Sequence, residues 1–218
     1  MEKINDFIKL KSYKVFIFNC LLYFVALFLE FRYIFTNEFY AQNLNHYTEK
    51  QVFDFILLER NAEWANYVFA IGLVLMSSLL IATILYIGFN LKTISVSFRK
   101  SYRIAVQSIV VFSLNYLISV SLKLFGVVKY DINNVNDVYA YQSVLRFLNT
   151  NKIPQWALYP LEKINISEFV YFAFLAILIH LHFKMTKKTS LKYAMAIYGS
   201  GLFIWIVITV FIQFLFYT

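Results

Sequence analysis

A single cysteine, Cys20, stands in 218 residues, which excludes an intramolecular disulfide and any metal site built from several thiolates. Two prolines beside 20% aromatic residues point to long helices with aromatic anchors rather than a loop-rich fold. Charged residues make up 15% of the chain and hydrophobic ones 61%, whereas soluble domains carry roughly 25% charge. Catalytic signatures are missing too. The chain has no glycine-rich phosphate loop, no G-x-S-x-G, no H-E-x-x-H and no adjacent pair of aspartates within an apolar run. Three histidines are too few and too scattered for a metal centre. His180 and His182 are two residues apart and diverge around a helix, and His46 falls in another segment. The sequence therefore predicts no enzyme, no cofactor and no metal.

What it has is length of apolar sequence. Four stretches, 15–35, 64–91, 104–128 and 193–217, can each cross a hydrocarbon core of about 30 Å, which takes about 20 helical residues. A fifth apolar run, 169–183, is short. Rim residues Ser167 and Glu168, with a snorkelling Lys184, extend it to a span over 167–184. The predicted fold is all-α: one five-helix transmembrane domain over 1–218, with outer loops at 36–63 and 129–166.

Charge orients the spans. Lys3, Lys9, Lys11 and Lys14 precede the first, and Lys92, Arg99, Lys100 and Arg103 join the second to the third. Lys184, Lys187, Lys188 and Lys192 join the fourth to the fifth. These alternate segments contain twelve of the 20 basic residues and, of the 12 acids, only Glu2 and Asp6. By the positive-inside rule the amino terminus is cytoplasmic and the carboxyl terminus outside. The net charge of +8 then meets anionic lipid headgroups rather than nucleic acid. The first apolar run is too long for a signal-peptide core and lacks a small-residue cleavage site, so it is expected to remain as a helix. A bacterial cytoplasmic membrane is the expected location.

Within "FVALFLEFRYIF" (24–35), Glu30 lies 16 residues past Lys14, about 24 Å along a helix. Lys123, 20 residues past Arg103, reaches about 30 Å. Arg32 and Glu168 fall at a similar depth. Two readings follow: all four mark the outer headgroup zone, or Glu30 and Lys123 pair between the first and third spans. Deeper polar residues, Ser108, Asn115 and Ser119, form one stripe on the third span. Ser77 and Ser78 sit near the middle of the second. Contact between these two spans is the preferred account, and a path-lining layer is the alternative.

Both outer loops have apolar residues at helical spacing. "QVFDFILLER" predicts a helix lying on the membrane or entering the second span. In "VYAYQSVLRFLN", Val138, Tyr141, Val144, Leu145 and Leu148 share one face. Trp156 follows between Pro154 and Pro160. Tyr141, Leu145, Leu148 and Trp156 are candidates for docking on a partner or on the membrane surface. Asn165-Ile166-Ser167 fits a glycosylation acceptor but abuts the membrane.

Near the carboxyl end, a lysine-rich turn with Lys184, Lys187 and Lys188 leads to Tyr198, Gly199 and Gly201. This third of the chain resembles the last two helices of bacterial Yip-type membrane proteins. The resemblance implies a five-helix, non-enzymatic protein of trafficking or membrane organisation. Independently, Ala196, Gly199, Ser200 and Gly201 offer a small-residue face for close helix approach. The combined expectation is an accessory or scaffold subunit, partnered by other membrane proteins, in protein export or trafficking; a small transporter or channel component is the alternative.

A cysteine introduced in 186–191, on a Cys20→Ser background, is expected to react with an impermeant maleimide only from the cytoplasmic side. Labelling from outside overturns the orientation.

Overall fold

The computed structural model describes residues 7, 9–44, 47–132, 134–149 and 152–217. Glu2, Lys3, Asp6 and His46, weighed above, lie outside the described residues. Helix α1, Ser12–Leu29, continues through one wide turn, Glu30–Ile34, closed by Phe35 N–H on Glu30 C=O at 2.9 Å. A short α2, Asn37–Asn43, is capped by Thr36. Helix α3, Glu49–Leu91, runs 43 residues and opens on a capping box in which Thr48 and Gln51 satisfy each other's backbone. Helices α4, Phe98–Ser108, and α5, Val110–Leu124, join through Ile109 into one 27-residue span. Then come α6, Gln155–Glu162, α7, Ile166–Phe183, and α8, Lys187–Tyr217. Among the described residues five helices are long and apolar enough to cross a membrane: Ser12–Ile34, Glu49–Leu91, Phe98–Leu124, Ile166–Phe183 and Lys187–Leu215. This is the architecture of an integral membrane protein.

Three boundaries differ from the hydropathy reading. The helix seen in "QVFDFILLER" is the first part of α3, so the helix that carries the apolar stretch 64–91 already begins at Glu49. The third span stops at Leu124, not at 128. Gly126 takes φ +69, which lets Val127 N–H reach Leu122 C=O (2.9 Å) and Gly126 N–H reach Lys123 C=O (3.0 Å). That Schellman arrangement satisfies the last carbonyls and turns the chain away. Third, no α-helix forms at 138–148. Short 3₁₀ turns occupy Ala140–Gln142 and Val144–Phe147, separated by Ser143, which pairs as a β-bridge with Asn165. The bridge holds Ser143 extended, and its hydroxyl accepts from Leu145 N–H, so helical bonding cannot run through it.

The α4–α5 span is central, with 61% of its apolar window buried against 33% for α1 and α3 and 11% for α8. Helix α1 packs on α5 and α3, α7 on α4 and α5, and α8 on α7, α3 and α6. The main core joins Leu85 and Phe89 of α3 to Ile104 of α4, Tyr171, Leu175 and Ile179 of α7, and Ile197 of α8. A second cluster, with Ala26, Ile34, Phe39, Tyr40, Ile56, Val120 and Val135, seals the end where segment 129–165 lies.

Two glycines set the α3–α8 crossing. A Cβ on Gly201 would lie 2.8 Å from Ile84 Cδ1, and one on Gly88 would overlap the Ile197 side chain. Each glycine thus accepts an isoleucine from the opposite helix. Of the small-residue face, Gly201 makes this contact, a Cβ on Gly199 would lie 3.7 Å from the Phe172 ring, and Ala196 and Ser200 are exposed.

Gly88→Val is expected to push α3 off α8 and cost about 1–3 kcal/mol, the scale of overpacking. Gly72→Ala, which meets nothing within 4 Å, serves as the control and is expected to leave stability equal or slightly higher. Unfolding in detergent micelles measures both; equal losses at the two positions would refute the crossing as the cause.

Candidate functional site

Among the described residues the bundle's polar side chains form several separate groups. Deepest in α1, Asn19 is fully buried. Its amide donates to Val106 C=O (3.0 Å) and Val15 C=O (3.1 Å), and its oxygen accepts from Ser113 (2.8 Å). This is the amide that ties α1 to the central span. At the end where α1 begins, Gln107 accepts from His182 Nε2–H at 2.9 Å and donates to Phe7 C=O. His180 instead meets Met185 C=O through Nδ1, so the two histidines serve different partners. Among the described residues no three His, Cys, Asp or Glu side chains gather as metal ligands.

At the opposite end, Glu30 and Lys123 are buried, only 4% and 3% exposed, while Arg32 faces outward. The wide turn after Leu29 separates them, turning Glu30 inward and Arg32 out. Among the described residues Glu30 and Lys123 make no contact ion pair. Tyr116 donates to Glu30, and Lys123 donates to Val135 C=O, which anchors segment 129–165 on α5. The two charges lie within electrostatic reach of each other. Asp137 completes this group, with burial pushing its carboxyl up and Lys123 drawing it back.

Asn115 does not meet Ser77 or Ser78. Its oxygen accepts from Gln142 at 2.8 Å, with Tyr141 at 3.5 Å, and Gln142 in turn accepts from Ser167 of α7 at 3.0 Å. Segment 129–165 therefore dips into the bundle and bridges α5 to α7. Ser78 donates to Val74 C=O of its own helix, Ser108 bonds to Tyr171 of α7 at 3.0 Å, and Ser119 is buried without a partner among the described residues. Among the docking candidates Tyr141 and Leu145 are half-buried. Leu148 and Trp156 are exposed, with Phe147 beside Leu148, and Trp156 stacks on Phe214. Asn165 is 2% exposed and caps α7 through Glu168 N–H, so it is closed to glycosylation.

A cavity of about 440 Å³ lies where α3 and α8 separate beyond their crossing. Its walls are apolar, with Leu73, Met76, Leu80 and Ile84 of α3 facing Leu202 and Trp205 of α8. Its polar end gathers Tyr139, Tyr159, Lys163, Glu168 and Tyr198. The Lys163 ammonium sits 5.0 Å from the Tyr139 ring centre and 5.2 Å from that of Tyr159, in cation–π range of both. Tyr159 is held by Trp205 Nε1–H at 2.8 Å. Glu168, 6% exposed, accepts from Tyr198 at 3.3 Å. Glu162, next to Lys163, is pushed up by burial, partly offset by that lysine. Of the residues singled out from sequence, Ser77, Glu168, Tyr198 and Gly201 line this cavity.

Lys163, Tyr139 and Tyr159 were not singled out from sequence. Lys163 and Glu168 straddle the cap of α7, so helical periodicity does not relate them. Asn19 did carry a signal: it is the single amide in the first span, 15–35, and it precedes the charges Glu30 and Arg32 by more than two turns.

Fold and site define an α-helical membrane protein with five helices long and apolar enough to cross a membrane and a cavity lined by both apolar and polar residues. In comparisons with family models, curated proteins and solved structures, nothing matches this chain.

Asn115→Leu is expected to cost about 0.6–2 kcal/mol, the range of hydrogen bonds between membrane helices, and to expose 129–165 to protease. In a cycle with Gln142→Leu the two losses should couple. Strict additivity in detergent unfolding would show that the bridge carries nothing.

Proposed function

We propose that this protein is a non-enzymatic accessory or scaffold subunit of a larger membrane assembly, serving protein export or membrane trafficking in a bacterial cytoplasmic membrane. The likeness of its last two spans to Yip-type proteins belongs to the same proposal. One observation carries the reading: buried polar groups of the bundle are spent on fastening segment 129–165 to it. Asn115, Gln142 and Ser167 form a chain of hydrogen bonds, and Lys123 holds Val135. The fastened segment displays Phe147, 84% exposed, with Leu148 and Arg146 beside it. An apolar patch on an anchored segment, flanked by a cation, suits the outer surface of another membrane protein. The competing transport reading draws on Ser77 alone, because Ser78 and Asn115 of that polar layer are bonded elsewhere.

Extracted in mild detergent, the tagged protein is expected to retain other membrane proteins at fixed stoichiometry. Phe147→Glu combined with Leu148→Glu is expected to release them without changing thermal stability. A chain that purifies alone, or whose companions ignore the double substitution, overturns the proposal.

A further inference from the structure

The cavity between α3 and α8 combines two properties that together specify a ligand class. The first is its opening. Met76, Leu80 and Trp205 line it and are 66%, 45% and 45% exposed, so it opens sideways between two helices onto the face that meets acyl chains. A ligand entering there comes from the bilayer rather than from water. The glycine crossing fixes where the opening begins, since α3 and α8 touch at Gly88 and Gly201 and part beyond.

The second property is its charge. The polar end holds one cation and one anion, Lys163 and Glu168. Among the described residues nothing accepts a hydrogen bond from Lys163 Nζ; tyrosine rings flank it, leaving its N–H groups for an acceptor. Tyr198 donates to one Glu168 oxygen, Oε2, and no hydrogen bond to Oε1 is found among the described residues. A carboxylate with spare acceptor capacity calls for an N–H or O–H donor. An anionic headgroup would satisfy Lys163 but face Glu168 with like charge. A quaternary ammonium would bring positive charge to Glu168 without donating a hydrogen bond.

We propose that this cavity binds a zwitterionic lipid with a primary ammonium, the phosphatidylethanolamine class, its phosphate on Lys163, its ammonium on Glu168 and its acyl chains between α3 and α8. Tyr139 and Tyr159 hold the lysine in place through their ring faces, and Trp205 fixes Tyr159. A site of about 440 Å³ takes the headgroup and the first carbons of the chains, and the rest of each chain lies along exposed Met76 and Leu80. The inference rests on the cavity alone and is independent of the subunit reading.

The test is titration of the delipidated protein in detergent with phosphatidylethanolamine, phosphatidylglycerol and phosphatidylcholine of identical acyl chains, followed by native mass spectrometry and thermal unfolding. Phosphatidylethanolamine is expected to bind about tenfold tighter than either of the others, the effect of one added charge-assisted bond. Lys163→Gln should weaken it about tenfold, and Glu168→Gln should abolish the preference over phosphatidylcholine. Because Glu168 is buried and its substitution can disturb folding, Met76→Trp provides a second arm: it fills the opening from an exposed position and should block all three lipids while leaving lipid-free stability unchanged. Equal binding of the three lipids, preference for phosphatidylglycerol, or binding unaffected by Lys163→Gln and Met76→Trp overturns the proposal.

Discussion

A polar side chain surrounded by apolar helices has no water to turn to, so its partner must come from the protein itself. That constraint organises this molecule from one end to the other. Asn19 finds Val106 C=O and Ser113, Gln107 finds His182, and Ser108 finds Tyr171. The first joins the central α4–α5 span to α1, and the other two join it to α7. The central helix is thus both the most buried span and the one that carries most of the polar stripe, and the two facts share a cause. Between helices with no hydrophobic drive to separate them from lipid, hydrogen bonds and close packing decide which faces meet.

The same constraint explains why the connection between α5 and α7 is not a loose outer loop. Asn115 is only 5% exposed, and among the described residues no hydrogen bond from a neighbouring span reaches it. Gln142 supplies one, drawing the chain inward, and Ser167 then satisfies Gln142. Lys123 does likewise at the rim with Val135 C=O. A segment tied at both places cannot also form the amphipathic helix that its apolar spacing favours. Tertiary hydrogen bonds outweigh local propensity here, because an unpaired amide or ammonium in apolar surroundings costs more than a short stretch of helix gains.

Pulling that segment inward has a second effect. It sets Tyr139, Tyr159 and Lys163 over the gap between α3 and α8, where Glu168 and Tyr198 already face inward. The cavity therefore has apolar walls from the spans and a charged end contributed partly by the connection. Close packing at Gly88 and Gly201 holds the two helices together on one side of it and leaves them apart on the other.

Hydropathy and charge order by themselves determined that the chain is helical, how many helices are long and apolar enough to cross a membrane, and roughly where each begins except the second, whose helix starts at Glu49. Those are properties of local composition: a run of apolar residues needs helical backbone bonding in lipid whatever surrounds it. The end of the third span was legible too in principle, since Gly126 stands at the one position where a left-handed turn closes the helix. What only the tertiary structure decided is which polar groups meet. Asn115 with Gln142, Glu30 with Tyr116 and Lys163 beside Glu168 involve residues on different elements or on opposite sides of a helix cap. Glu30 and Lys123, one depth apart by count, come close without touching because each has a nearer partner. Helical periodicity fixes the face a residue occupies on its own helix, but the neighbour on that face is set by how the helices cross and where the connecting chain is drawn in.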